Sequence, residues 1–311
     1  MARRRGKRRG RAVHGWLVLD KPLDMTSTEA VNIVKRLFDA RKVGHGGTLD
    51  PLATGVLPIA FGEATKTVQF VMDSPKTYRF TVRWGEERNT DDAEGEVVET
   101  SDLRPTREEI EALLPDYTGA IMQVPPTFSA IKVKGERAYD LARDGEAVEL
   151  APREVMIYDL KLVDMPDADT AVFEAVTGKG AYVRALARDL GRDLGCLGYV
   201  AQLERTAVGP FTIDNAITLE KLEELRHKDA DHTALDAVLL PITTALADIP
   251  ALAVDQRQAA RIASGQAVLL RGAKAPVAEE TVLVTWRGRP VALGTVEAGM
   301  LKPKRVFNLK G

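Results

Sequence analysis

The chain has 311 residues, is 45% hydrophobic and 28% charged, and carries a formal net charge of -2 with one cysteine, Cys196. That length suits one large domain and a small one, the composition is that of a soluble globular protein, and a lone thiol excludes an internal disulfide. The longest uncharged apolar run of the C-terminal half, from Ala237 to Ala247, is interrupted by Pro241 and falls short of the roughly 18 residues of a membrane span; the apolar stretch Gly15 to Leu19 is too short for a signal-peptide core.

Charge is unevenly placed. Residues 1–11, MARRRGKRRGR, hold seven basic and no acidic residues, leaving 36 basic against 45 acidic in residues 12–311. The tail reads as a disordered polycation that either binds phosphate backbones without sequence preference or simply solubilises the terminus. An acidic body argues against a broad electrostatic footprint, so a nucleic-acid site has to be a local cleft.

In chain order, Gly15 to Leu19 reads as a short buried strand ending at the Asp20-Lys21-Pro22 turn. Thr26 and Glu29 form a capping box for a helix over about 27–40, where Ala30, Val31, Val34, Leu37 and Phe38 recur at helical spacing. The chain then enters GHGGTLDPLATG, residues 44–55. Asp50 is the only acidic residue between Val43 and Gly62, a stretch with no Lys or Arg. Pro51 biases Asp50 toward an extended backbone, while Gly44, Gly46 and Gly47 permit close approach of backbone or ligand. Asp50 is thus either a turn-initiating residue or a carboxylate fixed toward a cleft, as a nucleophile or base acting on a bulky substrate requires. Its countercharge must come from elsewhere in the chain.

Tyr78, Phe80, Val82 and Trp84 alternate with Arg79, Thr81 and Arg83, marking a half-exposed strand with Gly95 to Thr100 as its hairpin neighbour. Thr106 and Glu109 open a second capped helix that stops near Pro115, and QVPPTFSAIKVKG is a proline-rich loop running into a strand. Val155 to Met165 and Ala171 to Thr177 read as strands. Tyr182 to Leu194 reads as a helix with Val183, Leu186, Ala187, Leu190 and Leu194 as its apolar stripe. Leu235 to Ala253 looks like a linker or interdomain helix, followed by a helix over Gln256 to Ser264 and short strands at Val282 to Trp286, Val291 to Val296 and Arg305 to Leu309. Strands and helices mix without regular βαβ alternation, which predicts the α+β class. The expected division is a basic tail over 1–11, a catalytic domain over 12–245 and a small, mostly β unit over 246–311.

Generic signatures are absent. Gly62 to Lys66 lacks Walker spacing, Ser129-Ala130-Ile131-Lys132 lacks the elements that accompany S-x-x-K, and His14, His45, His227 and His232 form no metal pattern.

The segment GHGGTLDPLATGVLPIAFGEATK resembles the signature of the TruB family of RNA pseudouridine synthases. The resemblance continues through GWLVLDKP, KTYRFTVRWGEERNTDDAEGEV, VPPTFSAIKVKGERAYDLARDG, GKGAYVRALARDLGRDLG and LERTAVGPF, spanning most of residues 15–212. The departures are Gly46, where many bacterial members have Thr, and Glu204, often a basic residue. The resemblance implies a pseudouridine synthase fold with a mixed, largely antiparallel sheet, ending in a PUA-like RNA-binding unit. It implies isomerisation of the T-loop uridine at tRNA position 55, without cofactor or metal.

By the same resemblance Asp50 corresponds to the essential aspartate, which attacks the anomeric carbon or removes the 2′ proton to give a glycal; the family leans to the glycal route. Tyr78 matches the tyrosine that lies against the flipped uracil and is associated with moving the carbon-5 proton. Arg184 matches the arginine that pairs with the aspartate, although its spacing alone suggests a surface residue beside Arg188. Tyr182, Leu203 and His45 match positions lining the pocket; without the resemblance the first two read as core and His45 as a cap on the preceding helix. Lys302, Lys304 and Arg305 would face the acceptor side of the tRNA. The implied partner is tRNA, through its T-arm and elbow, met by a cytoplasmic monomer that uses no guide RNA or membrane. A tRNA-folding chaperone role stands beside the isomerase reading, and a guide-dependent enzyme of the dyskerin type or a glycoside hydrolase are the rivals.

Overall fold

The computed structural model describes residues 10–129, 132–133, 136–137, 150–228, 231–271 and 276–309. Most of the basic tail and much of the VPPTFSAIKVKGERAYDLARDG segment lie outside the described residues. The chain runs through β1 (Gly15–Lys21), α1 (Ser27–Leu37), β2 (Val43–His45), β3 (Ala53–Phe61), α2 (Val68–Asp73), β4 (Lys76–Trp84), β5 (Glu86–Arg88), β6 (Val97–Thr100) and α3 (Arg107–Leu113). It continues through β7 (Gly119–Gln123), β8 (Lys132–Val133), β9 (Glu136–Arg137), β10 (Arg153–Asp167), β11 (Thr170–Thr177), α4 (Val183–Asp193), β12 (Gly198–Val208), β13 (Phe211–Thr212), α5 (Leu219–Lys228) and α6 (Thr233–Ala237). The last elements are β14 (Ala251–Ala253), α7 (Gln256–Ala263), β15 (Val268–Leu269), β16 (Glu279–Trp286), β17 (Arg289–Glu297) and β18 (Met300–Val306).

Local signals account for three of the helix starts. Thr26 with Glu29 and Thr106 with Glu109 both form complete capping boxes, and Asp255 with Gln258 makes a third. The first helix ends at Leu37 rather than near 40, because Asp39 adopts a left-handed φ of 45°.

Among the described residues the main sheet has nine strands in the order β1-β3-β12-β4-β11-β10-β7, with β2 beside β3 and β13 beside β12. Every pairing is antiparallel except β12 with β3, so the sheet is mixed and largely antiparallel, as expected. Alternate residues of β1 and β3 point into two cores. Leu17, Leu19, Leu57 and Ile59 join the large core with Phe80, Phe173, Leu186 and Leu190, so α4 covers that face. Trp16, Val18, Val56 and Ala60 join a second core with Leu283, Leu293 and Phe307. The five-stranded sheet β14-β16-β17-β18-β15 therefore packs behind β1 and β3. This double burial explains the continuous apolar run GWLVL. Among the described residues no helix is long and apolar enough to cross a membrane.

Three expectations need correction. Gly95 to Thr100 is not the hairpin neighbour of β4, because β11 and β12 occupy both edges of β4 and β6 pairs with β5. Leu235 to Ala253 is no interdomain helix: α6 stops at Ala237, Leu240 exchanges two backbone hydrogen bonds with Trp16, and Pro241 cannot donate to a continuing helix. The last strand is Met300–Val306 rather than Arg305 to Leu309. Pro303 hid it, and is tolerated beside a register shift between Leu293 and Gly294, past the two-residue β15.

The central strand β12 was not anticipated, since Gln202, Glu204, Arg205 and Thr206 break its apolar pattern. Its register is tightly specified. Leu203 lies opposite Ala53 and Phe80, and Arg205 opposite Gly55 and Tyr78. Gly55 has a φ of 96°, and a Cβ there would stand 2.4 Å from the Arg205 carbonyl oxygen. Gly55→Ala is expected to lower the unfolding free energy by more than about 2 kcal/mol, from the left-handed backbone and the clash together. Urea unfolding checks this, and an unchanged midpoint would contradict it.

Candidate active site

The loop carrying Asp50 joins β2 to β3, and consecutive carbonyls along it are each claimed by a donor. Arg205 donates to Gly47 O at 3.2 Å and Thr48 O at 3.1 Å. Ser27 Oγ donates to Leu49 O at 2.9 Å and accepts from Leu49 N at 2.8 Å. Ala53 N donates to Asp50 O at 3.1 Å, Asp24 N to Pro51 O at 2.9 Å, and Lys21 Nζ to Pro51 O at 3.3 Å. A loop so fully bonded has little freedom, and the direction of the Asp50 side chain is fixed with it.

That side chain is 39% exposed, with Oδ2 3.1 Å from Arg184 Nη2. Asp50 therefore does not behave as a plain turn residue. Arg184, the second residue of α4, is only 7% exposed at its side chain. Its Nη1 lies 3.2 Å from Asp92 Oδ2, a carboxylate 2% exposed, and also donates to Thr90 O at 3.1 Å. Its Nη2 donates to Phe128 O at 3.0 Å. The surface reading of Arg184 from spacing fails because the connection between β5 and β6 and the proline-rich loop fold over that flank of α4.

Asp92 belongs to a larger ionic ladder. Arg184, Arg188 and Arg192 follow one another at turn spacing on α4 and pair with Asp92, Asp91 and Glu87, Arg188 Nη1 reaching Asp91 Oδ2 at 3.0 Å and Arg192 Nη2 reaching Glu87 Oε1 at 2.6 Å. Arg188 also donates to Val124 O at 2.8 Å. Burial pushes the Asp91 carboxyl up to about 6, against the opposing pull of Arg188 and Arg184.

The other four expected residues take positions around this centre. Tyr182 is the N-cap of α4, its backbone bridged by the Gln123 amide, which accepts from Tyr182 N at 2.8 Å and donates to Tyr182 O at 3.1 Å. Burial, with the Asp50 charge adding to it, raises the Tyr182 phenol above its ordinary value. Tyr78 is half-buried on β4 against the edge of the large core, and Leu203 is buried on the adjoining strand β12. His45 lies on β2 opposite Ile59, well past the end of α1, so it caps no helix. Burial lowers the imidazole pKa, a backbone hydrogen bond at Gly47 acting in the opposite sense, and so favours the neutral ring. Among the described residues, the ion pair of Asp50 with Arg184 is the direct polar contact within this set of six.

Sequence reading missed Asp92, Lys21 and Arg205. The adjacent acids of NTDDAEG were the available signal for Asp92, but a solvated turn has the same composition. Lys21 is fully buried, donating also to Pro22 O at 2.8 Å and Met25 O at 2.7 Å. Burial lowers its ammonium to about 8, with the Asp50 charge acting in the opposite sense. Among the described residues, no cluster of three or more His, Cys, Asp or Glu side chains is placed to hold a metal ion.

Comparison with known proteins adds to this geometry. A family model described as TruB family pseudouridylate synthase (N terminal domain) matches residues 35–183, and one described as tRNA pseudouridylate synthase B C-terminal domain matches residues 184–247. The chain is 63% identical over 306 residues to the tRNA pseudouridine synthase B of Bradyrhizobium diazoefficiens, covering 98% of this chain and 89% of that protein. It is 55% identical over 319 residues to the tRNA pseudouridine synthase B of Brucella ovis, covering 98% of each. Among solved structures, a Cbf5-Nop10-Gar1 complex aligns with a TM-score of 0.72 at 23% identity, over 94% of this chain and 84% of that one, a likeness of fold.

Two measurements test the electrostatics. Arg184→Met strands the buried Asp92 carboxylate and is expected to cost about 3–5 kcal/mol in urea unfolding; a loss below 1 kcal/mol would contradict the pairing. For Asp91, the folded value of about 6 stands above the ordinary 3.8, so the unfolded chain loses its proton first as pH rises. Its stabilising contribution is complete below pH 4 and declines until pH 6. The unfolding free energy of wild type relative to Asp91→Asn should therefore fall by about 2–3 kcal/mol from pH 4 to 6 and then level. A rise across that window would contradict it.

Proposed function

The chain belongs to the TruB family of pseudouridylate synthases, and from that premise we propose that it isomerises the T-loop uridine at position 55 of tRNA with Asp50 as the reacting carboxylate. The observation that carries the assignment of Asp50 is its setting: a partly exposed carboxylate, on a loop bonded along its length, backed by a buried guanidinium that a second carboxylate holds in place.

The reaction breaks the bond from uracil N1 to ribose C1′ and forms one from C5 to C1′. The C5 proton leaves to solvent and N1 takes up another, so the composition of the RNA is unchanged. Asp50 either attacks C1′ or removes the 2′ proton. Either step needs a carboxylate oxygen that the protein has not already engaged. Arg184 reaches Oδ2, and the Asp50 side chain stays 39% exposed, so the sugar can approach the carboxylate.

The target uridine has to leave its stack, at a cost of a few kcal/mol. An aromatic face offsets this by about 1–3 kcal/mol per base, and Tyr78 supplies it, with Leu203 and Tyr182 as the apolar walls of the pocket and neutral His45 beside the entry. The Tyr78 hydroxyl is our candidate for moving the C5 proton.

The wider partner surface is the T-arm and elbow of tRNA. Lys42, Lys304 and Arg305 line a groove where the second sheet meets the first, which supports residues 246–311 as an RNA-binding unit that meets phosphates on the acceptor side; Lys66 in the same groove is already paired with Glu63. Lys302, paired with Glu297, contributes less. In this reading the protein works as a cytoplasmic monomer on bare tRNA, without a guide strand.

Release of tritium from C5 of uridine in an unmodified tRNA transcript tests the assignment. Release should require the target uridine and disappear in Asp50→Asn, while tRNA binding persists. Tight binding with no release by wild type would leave an RNA-binding role without isomerisation. Tyr78→Phe is expected to bind tRNA within about threefold of wild type yet turn over about 10²–10⁴-fold more slowly. An equal loss of affinity and rate would remove the proton-transfer role.

A further inference from the structure

Arg205 is 2% exposed, and among the described residues no carboxylate pairs with it. Its donors go instead to three backbone carbonyls: Gly47 O at 3.2 Å, Thr48 O at 3.1 Å and, through Nε, Val56 O at 2.9 Å. These carbonyls flank Asp50 on both sides. Two further cations lie close by. Lys21 and Lys76 are also buried and are both lowered to about 8, chiefly by burial, with the Arg205 charge contributing to each.

A buried guanidinium without a counter-ion is costly, and an apolar side chain of similar volume at such a site is often neutral or stabilising. Packing therefore does not explain the residue. A planar fork of fixed donors does what an apolar side chain cannot, since it bonds carbonyls arriving from two directions at once. We propose that Arg205 is a positioning residue for the isomerisation, holding the loop from Gly47 to Val56 so that Asp50 meets the ribose at the reacting distance. This rests on the reading of Asp50 as the reacting carboxylate.

The register supports the assignment. Arg205 lies opposite Tyr78 on β4 and Gly55 on β3, so one rung of the sheet sets the loop relative to the aromatic face that would hold the uracil. Gly47, whose carbonyl Arg205 holds, has a φ of 132°, a backbone that favours glycine. Arg205 itself bonds to the loop and not to the substrate, so its effect passes through Asp50.

The test compares wild type, Arg205→Met, Arg205→Lys, Arg205→Ala and Asp50→Asn. For each, folding is followed by circular dichroism, tRNA affinity by filter binding, and the single-turnover rate of tritium release is measured at saturating tRNA. Arg205→Met and Arg205→Lys are expected to fold and to bind tRNA within about threefold, with release slowed at least about 10²-fold, as a displacement near 1 Å would cause. Guanidinium ion at millimolar concentration should restore at least tenfold of the lost rate to Arg205→Ala, whereas ammonium at equal ionic strength should not. Wild-type release by folded Arg205→Met overturns the proposal. If that variant does not fold, Arg205→Lys decides, and a rate within threefold of wild type shows that the fork is not needed. Failure of the underlying reading looks different: Asp50→Asn would itself release tritium at the wild-type rate.

Discussion

One guanidinium shared by two carboxylates of unequal exposure sets the terms for the rest of the site. Arg184 is buried between Asp92, which is buried with it, and Asp50, which is not. Asp92 and the carbonyls of Thr90 and Phe128 satisfy the arginine from the protein side, so the interaction with Asp50 need not carry the full cost of burying the charge. The exposed carboxylate can then be held by one oxygen without being buried. A lone aspartate on a glycine-rich turn would have neither fixed direction nor nearby countercharge.

The fold assembles this arrangement from segments remote in sequence. Asp50 arrives on the loop between β2 and β3, Arg184 at the start of α4, and Asp92 on the connection between β5 and β6. The parallel pairing of β12 with β3 brings Leu203 and Arg205 beside that loop, and the antiparallel pairing of β12 with β4 aligns them with Phe80 and Tyr78. The ladder of arginines along α4 then closes the β5–β6 connection over the helix. The second sheet packs on the opposite face of β1 and β3, where it buries Trp16.

What the sequence made legible follows the range of the forces involved. Capping boxes, the alternation of β4 and the apolar stripe of α4 depend on residues within a few positions of one another, and these elements stand where expected. Partner choice among strands depends on segments remote in sequence, which is why the neighbour of β4 was misassigned and β12 was missed. Asp50 was conspicuous because nothing near it could balance its charge. Its partner was not legible from spacing, since Arg184 sits on a helix flank that only distant loops bury; the family resemblance supplied it. Neither route reached Asp92 or Arg205: two acids in a turn look solvated, and an arginine in a polar stretch of strand looks like an exposed edge.

The central claim is that Asp92 acts on Asp50 through Arg184. A double-mutant cycle on the single-turnover rate of tritium release, with Asp92→Asn, Arg184→Lys and the combination, tests it most directly. If the three groups work as one unit, the double variant is no slower than the slower single variant. Rate losses that simply multiply would show that Asp92 and Arg184 act independently, and would contradict the account.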